Sequence, residues 1–111
     1  MNRITVTDFE RVEMRVGRIV QVEEFPKARK PSYRLLIDFG PYGTRRSSAA
    51  VRPFYTREEL LGRQVVAVTN FPPRRIADFE SEVLVLGAVG HGGRIVLLRP
   101  DGEAELGARI A

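Results

Sequence analysis

Residues 16–39 read VGRIVQVEEFPKARKPSYRLLIDF, and the fold is decided there. Val16, Arg18, Val20 and Val22 alternate with Gly17, Ile19, Gln21 and Glu23, the period of a half-buried strand. Tyr33, Leu35, Ile37 and Phe39 repeat the same period, with Asp38 on the other face, and make a second strand. Between the two, Phe25 to Pro31 is a loop bounded by prolines and carrying Lys27, Arg29 and Lys30. Proline fixes φ and removes a backbone donor, so neither a helix nor a central strand crosses this loop. Gly17 inside the first strand predicts a bend of the kind a small barrel needs at a corner.

Outward from this pair, Gly40-Pro41-Tyr42-Gly43 is a turn. Thr44 to Val51 is a weaker third strand, and its small residues Ser47-Ser48-Ala49-Ala50 imply close approach by another backbone or a ligand. Gln64 to Thr69, Glu82 to Leu86 and Arg94 to Leu98 are further short strands, the last following Gly87, Gly90, Gly92 and Gly93. Thr7-Asp8-Phe9-Glu10 fits a helix capping box with Thr7 as N-cap, and Thr56-Arg57-Glu58-Glu59 fits a second. Ile4, Val6, Phe9 and Val12 give the first helix one apolar side, suited to covering a barrel end or packing on a second subunit. The sum is an all-β fold with short helices, an OB-type five-stranded barrel with N- and C-terminal extensions. The 111 residues suffice for a single domain over 1–111.

Residues 70–87, NFPPRRIADFESEVLVLG, carry the second decisive signal. Pro72-Pro73 stiffens the chain after the apolar run Val65 to Val68, and so holds Arg74 and Arg75 out on a loop. Asn70 is placed to pin that loop through its own backbone. The formal charge is +4, and of the 18 lysines and arginines only Lys27 and Lys30 are lysine. Arginine favours bidentate contact with phosphate or carboxylate, so nucleic acid rises as a partner. Lys27, Arg29, Lys30 and Arg34 gather around one loop, Arg45, Arg46 and Arg52 flank the third strand, and Arg74 and Arg75 follow the diproline. In an OB-type barrel such cations meet phosphates while aromatics stack on bases. Phe25, Tyr33, Phe54, Tyr55, Phe71 and Phe79 are the stacking candidates, with one or two expected at the surface, because alternating aromatics usually fill a core. An exposed aromatic would equally seat an apolar side chain of an unfolded peptide.

Catalytic chemistry finds little support. There is no cysteine, and the one histidine, His91, sits in a glycine-rich turn and reads as solvated. No metal-ligand spacing occurs, Ser47, Ser48 and Ser81 have no base nearby in sequence, and the glycine cluster precedes a strand rather than a helix. A binding protein without metal or cofactor is expected. No apolar run approaches the roughly 20 residues of a membrane span, and no signal-peptide core follows the start, which points to the cytoplasm and away from membrane insertion.

Phe9-Glu10-Arg11-Val12-Glu13-Met14-Arg15-Val16-Gly17-Arg18-Ile19 resembles the F-x-x-x-D/E-h-R-V-G-x-I opening of the tRNA-binding domain family. Ser47-Ser48-Ala49, Leu61-Gly62-Arg63-Gln64-Val65-Val66 and Asn70-Phe71-Pro72-Pro73-Arg74-Arg75 are similar to its S-G…G-k-x-V…N-L-x-P-r-k pattern, and Ser81-Glu82-Val83-Leu84 to its S-x-G-M signature. The resemblance covers nearly the whole chain in order. The runs EEFPKARKPSYRLLIDFG, SSAAV, NFPPRRIADFESEVLVLG and VLLRP resemble a chaperone-like branch of that family linked to protein export. That resemblance implies an OB-fold, a homodimer, and binding of unfolded or precursor polypeptides in contact with the export machinery, with tRNA binding as the family's ancestral activity. It also implies a groove that the Ser81 strand helps to line, opposite the Ser47-Ser48 strand, with Ser48, Asn70, Phe71, Ser81, Leu84 and the cations Lys27, Arg29, Lys30, Arg34, Arg45, Arg46, Arg52, Arg74 and Arg75 as its expected binding residues. The tRNA binders carry Gly-Met where this chain has Val83-Leu84, and leucine keeps the bulk of methionine without its flexible thioether.

Overall fold

Strand β1 (Met14–Glu24) is long enough to serve two neighbours in turn. In the computed structural model, which describes residues 1–111, its first half pairs antiparallel with β4 (Gln64–Val68) and its second half with β2 (Tyr33–Asp38). β2 continues to β3 (Thr44–Ala49), and β4 to β7 (Leu84–Val85), giving the sheet order β3-β2-β1-β4-β7. The sheet curls into a nearly closed antiparallel barrel, consistent with an OB-fold. Ile19, Leu35, Ile37, Phe39, Leu60 and Val65 are completely or almost completely buried inside it. Burial of each such side chain stabilises the fold by about 1.5–3 kcal/mol.

The face of β1 is not the simple alternation its sequence suggests. Ile19 pairs with Ile37 and Gln21 with Leu36, so Val20 is an extra residue in a β-bulge. The bulge turns Ile19 and Val22 to the core and leaves Val20 exposed. The bend expected at Gly17 therefore lies at Val20. Gly17 instead makes room for the core, since a Cβ there would stand 2.5 Å from Ile37 Cγ2 and 2.7 Å from the Phe39 ring. It is glycine because the core packs directly on its backbone.

The barrel seam is closed by one backbone bond and by side-chain bonds rather than by a regular ladder. Arg46 O accepts the Glu82 N–H at 2.8 Å, while Glu82 Oε1 accepts the Arg46 N–H at 3.0 Å. Ser47 is fully buried and its hydroxyl donates to Val83 O at 2.9 Å. The close approach expected at Ser47-Ser48 is thus that of the 81–83 backbone. This also shortens the strand expected over Glu82 to Leu86, because Glu82 and Val83 turn aside to meet β3; Leu84–Val85 forms the ladder with β4, and the Leu86 N–H adds one bond to Val66 O at 2.9 Å.

Helix α1 (Val6–Glu10) is capped by Thr5, not Thr7: the Thr5 hydroxyl accepts the Asp8 N–H at 3.1 Å and Asp8 accepts the Thr5 N–H at 3.0 Å. Both threonines precede an acid at the right spacing, and the register two residues earlier prevails. No residue of α1 is buried, so Ile4, Val6 and Phe9 present their apolar side to solvent. Helix α2 (Arg57–Leu60) begins at Thr56 with Glu59 completing the box, and plugs the barrel with Leu60. The C-terminal tail runs along the start of β1, where Gly107 N–H and Ile110 N–H donate to Val16 O and Met14 O at 2.8 and 2.9 Å. No helix is long and apolar enough to cross a membrane.

Two hairpins complete the chain. β8 (Gly87–Val89) pairs with β9 (Ile95–Leu97) across the glycine turn. β5 (Arg74–Ile76) pairs with β6 (Phe79–Ser81), so the arginine pair expected on a stiff loop stands on a short strand instead. The diproline does end what precedes it. The chain simply resumes a strand at the next residue, where Arg74 and Arg75 face Ser81 and Glu80.

Candidate binding groove

The β5–β6 hairpin, the Phe71-Pro72 turn and the 81–84 segment enclose one groove of about 320 Å³ against the outer side of β3. Period two places Ser47 and Ala49 inside the barrel, which leaves Ser48 outside, where it joins the groove. The other walls are Phe71, Pro72, Arg74 and Ile76 on one side and Ser81, Glu82, Val83 and Leu84 on the other. Phe71 is 51% exposed and Leu84 49% exposed, large apolar side chains offered to a ligand rather than to the core. The Ser81 hydroxyl accepts the Ser48 N–H at 3.0 Å, and the Ser48 hydroxyl itself makes no hydrogen bond within the chain. An apolar floor with a few polar rim groups suits an apolar side chain or a base accompanied by hydrogen-bonding backbone.

Of the residues picked from sequence, Ser48, Phe71, Arg74, Ser81 and Leu84 meet here. Pro72, Ile76, Glu82 and Val83 also line it and were not among the expected binding residues; Ile76 was hidden because Arg74–Ile76 reads as loop. Asn70 does not bind its own loop: its carbonyl accepts the Glu13 N–H at 2.9 Å and its amide donates to Arg11 O at 2.8 Å. It ties the groove's rim to the segment between α1 and β1.

Part of the basic cluster is neutralised within the chain. Lys27 pairs with Asp78 at 3.2 Å, Arg34 with Glu23 at 3.1 Å, Arg46 with Glu82 at 3.4 Å and Arg52 with Glu24 at 2.7 Å. A hydrogen bond from the Lys27 ammonium holds the Asp78 carboxyl below its usual range. Arg34 and Arg46 lie over the Phe79 ring, whose edge meets Phe25 at 5.5 Å between centroids. Together these contacts fasten the hairpin tip to the β1–β2 loop. Arg29, Lys30, Arg74 and Arg75 are exposed without a carboxylate partner, and Arg45 falls on the inner face of β3, away from Arg46 and Ser48. Phe25, Tyr33 and Phe79 are buried, Phe54 and Tyr55 half-buried, and only Phe71 of the six stacking candidates is exposed.

Residues 14–109 match the sequence profile of the family described as "Putative tRNA binding domain". The chaperone CsaA from Bacillus anthracis superposes with a TM-score of 0.94 at 46% identity, over 99% of this chain and 100% of that one. The CsaA chaperone protein from Picrophilus torridus gives 0.92 at 47% identity, over 98% and 100%. The methionine–tRNA ligase of Thermococcus kodakarensis is 36% identical over 99% of this chain, which spans only 14% of that enzyme's length. With a profile match across nearly its whole length and a groove built from the matching motifs, the chain belongs to the tRNA-binding domain family.

Proposed function

We propose that this chain is a non-enzymatic, CsaA-like chaperone whose groove holds an apolar stretch of an unfolded or precursor polypeptide, acting in the cytoplasm ahead of export. The observation that carries this reading is the groove's floor, where Phe71 and Leu84 stand half exposed beside Ile76 and Val83. Rigid aromatic and aliphatic side chains in a concave site bind apolar segments at low entropic cost. The 46% identity to a CsaA chaperone over that protein's entire length supports the same reading. The test is suppression of aggregation of a chemically denatured client. The wild type lowers light scattering at near-stoichiometric ratio, and a Phe71→Ala/Leu84→Ser variant loses most of that effect. Equal protection by the two proteins overturns the reading.

The same molecule works as a homodimer on this proposal. Ile4, Val6 and Phe9 expose the apolar side of α1, and Asn70 links that region to the groove rim. A monomer at micromolar concentration in sedimentation equilibrium contradicts it.

A second reading, structure-specific tRNA binding, is favoured by Arg74 and Arg75, which stand on an exposed strand with no carboxylate partner. Arg74 lines the groove and Arg75 follows it on the same strand, and such unpaired guanidinium groups are ready phosphate ligands. Titration with tRNA at two salt concentrations tests it: affinity rises as salt falls, and binding no better than a neutral control protein at low salt rejects it.

A further inference from the structure

We propose that Phe54 and Tyr55 form a second RNA contact, a stacking platform for an unpaired nucleotide that shares no residue with the groove. It rests on the tRNA-binding reading above. The two aromatics follow β3 and are held at several points. Their N–H groups donate to Val51 O at 2.9 and 3.0 Å, Tyr55 O accepts the Tyr33 hydroxyl at 2.8 Å, and the Tyr55 hydroxyl accepts the Leu97 N–H at 3.0 Å. Both residues are half-buried, Tyr55 packing on one side against the core, so each is partly accessible.

Each ring carries an arginine. Arg63 lies 5.2 Å from the Tyr55 centroid and Arg94 lies 6.0 Å from that of Phe54. Neither arginine has a carboxylate partner; the Arg63 Nε donates to Glu59 O at 3.2 Å. This differs from Lys27, Arg34, Arg46 and Arg52, whose charges are met by Asp78, Glu23, Glu82 and Glu24. A cation resting on a π face keeps its attraction for phosphate, and its flat guanidinium is itself a surface on which bases stack.

Beside the platform is an open cleft of about 620 Å³, walled by Pro31, Pro53 and the two aromatics. Arg52 and Arg57 also line it; among its acids Glu24 is paired with Arg52, Glu59 accepts the Thr56 N–H to close the α2 cap, and neither Glu59 nor Glu58 is in an ion pair. The base is therefore expected against the aromatic wall of the cleft, with its phosphate toward Arg63 and Arg94.

The test uses the full chain and unmodified tRNA, with affinity measured by fluorescence anisotropy between about 50 and 200 mM salt. An Arg63→Gln/Arg94→Gln variant weakens binding roughly tenfold and flattens the slope of log affinity against log salt by about 1.4, at about 0.7 for each single-strand phosphate contact. Phe54→Ala weakens binding by roughly fivefold or more through lost stacking. Photo-crosslinks fall on the peptide carrying Phe54 and Tyr55 as well as on the groove. Circular dichroism melting of each variant separates lost contact from lost folding, and the two variants report independently. Affinity within twofold of wild type at an unchanged slope, with crosslinks confined to residues 70–84, overturns the platform while leaving tRNA binding standing. Absence of binding by the wild type removes both. Loss of client protection but not of tRNA affinity in the glutamine variant assigns the surface to protein and also overturns the proposal.

Discussion

The hydroxyl of Ser81 accepts the backbone N–H of Ser48 at 3.0 Å, a contact between the barrel's edge strand β3 and hairpin strand β6 that no ladder joins. Ser81 is 9% exposed, so water is a poor substitute for it. Ser81→Ala leaves the Ser48 N–H without its partner, and is expected to cost about 1–2 kcal/mol of stability. It should also loosen the groove, since both residues line it. Urea unfolding measures the first effect and client or tRNA affinity the second. Ser81→Thr, which retains the hydroxyl, should restore most of the stability.

Asn70 makes two backbone contacts across the chain, with Glu13 and Arg11, both at the surface. Asn70→Ala should cost about 1 kcal/mol, because water replaces part of what is lost. The sharper readout is hydrogen exchange, where the Glu13 amide should exchange roughly tenfold faster, in line with about 1.4 kcal/mol of local protection. Asn70→Asp keeps the acceptor for the Glu13 N–H but sets a carboxylate against Arg11 O. It should protect the Glu13 amide while still weakening the link between α1 and the groove.

How far the fold was legible depends on where each signal lay. β2 and β4 were readable because their apolar residues fall where the strand is buried, at every second position of β2 and throughout β4. The bulge at Val20 was not, since valine suits either face and only pairing with β2 reveals the extra residue. The β5–β6 hairpin was hidden by the diproline before it and by a turn, Ala77-Asp78, that has no glycine. Half the groove was readable from Ser48, Phe71, Arg74, Ser81 and Leu84. The pairing of part of the basic cluster was not, because Lys27 finds Asp78, and Arg46 finds Glu82, only after the chain has folded.

Gly17→Ala tests the core against β1. The added methyl would meet Ile37 and Phe39 at 2.5 and 2.7 Å, and both of those side chains are almost wholly buried. Neither can retreat without opening the barrel. A destabilisation of about 1–3 kcal/mol is expected, read as a fall in the thermal midpoint. A variant as stable as wild type would mean that the β2 side of the core yields more readily than its packing implies.

The ion pair at the hairpin tip gives a pH dependence with a definite sign. The hydrogen bond from Lys27 lowers the Asp78 pKa in the folded chain below its ordinary value of 3.8. A depressed carboxylate pKa contributes stability that is present above the unfolded value and is lost as pH falls through the folded one. The hairpin should therefore loosen only in acid, below the ordinary carboxylate range. In Lys27→Ala the Asp78 carboxyl, followed by carbon NMR, should titrate closer to its ordinary value. Both groups are exposed, so added salt should shift the wild-type midpoint in the same direction.

Ala77 occupies the first position of the two-residue turn between β5 and β6, since Ile76 pairs with Phe79, and its φ is +53°. It is the one residue other than glycine with positive φ. An L-residue in this region carries about 1–2 kcal/mol of strain, and hairpin turns of this length prefer glycine or asparagine for that reason. Glycine removes the strain but adds about 0.5–1 kcal/mol of chain entropy to lose on folding. Ala77→Gly should therefore stabilise the protein by about 0.5 kcal/mol, whereas Ala77→Val, with a branched side chain at the same φ, should destabilise it. The urea midpoints are expected in the order Gly, Ala, Val. Because the turn holds Arg74 and Ile76 in the groove wall, the three proteins should bind a groove ligand in that order too. A glycine variant that is more stable yet binds no better would separate the strain at the tip from the shape of the groove.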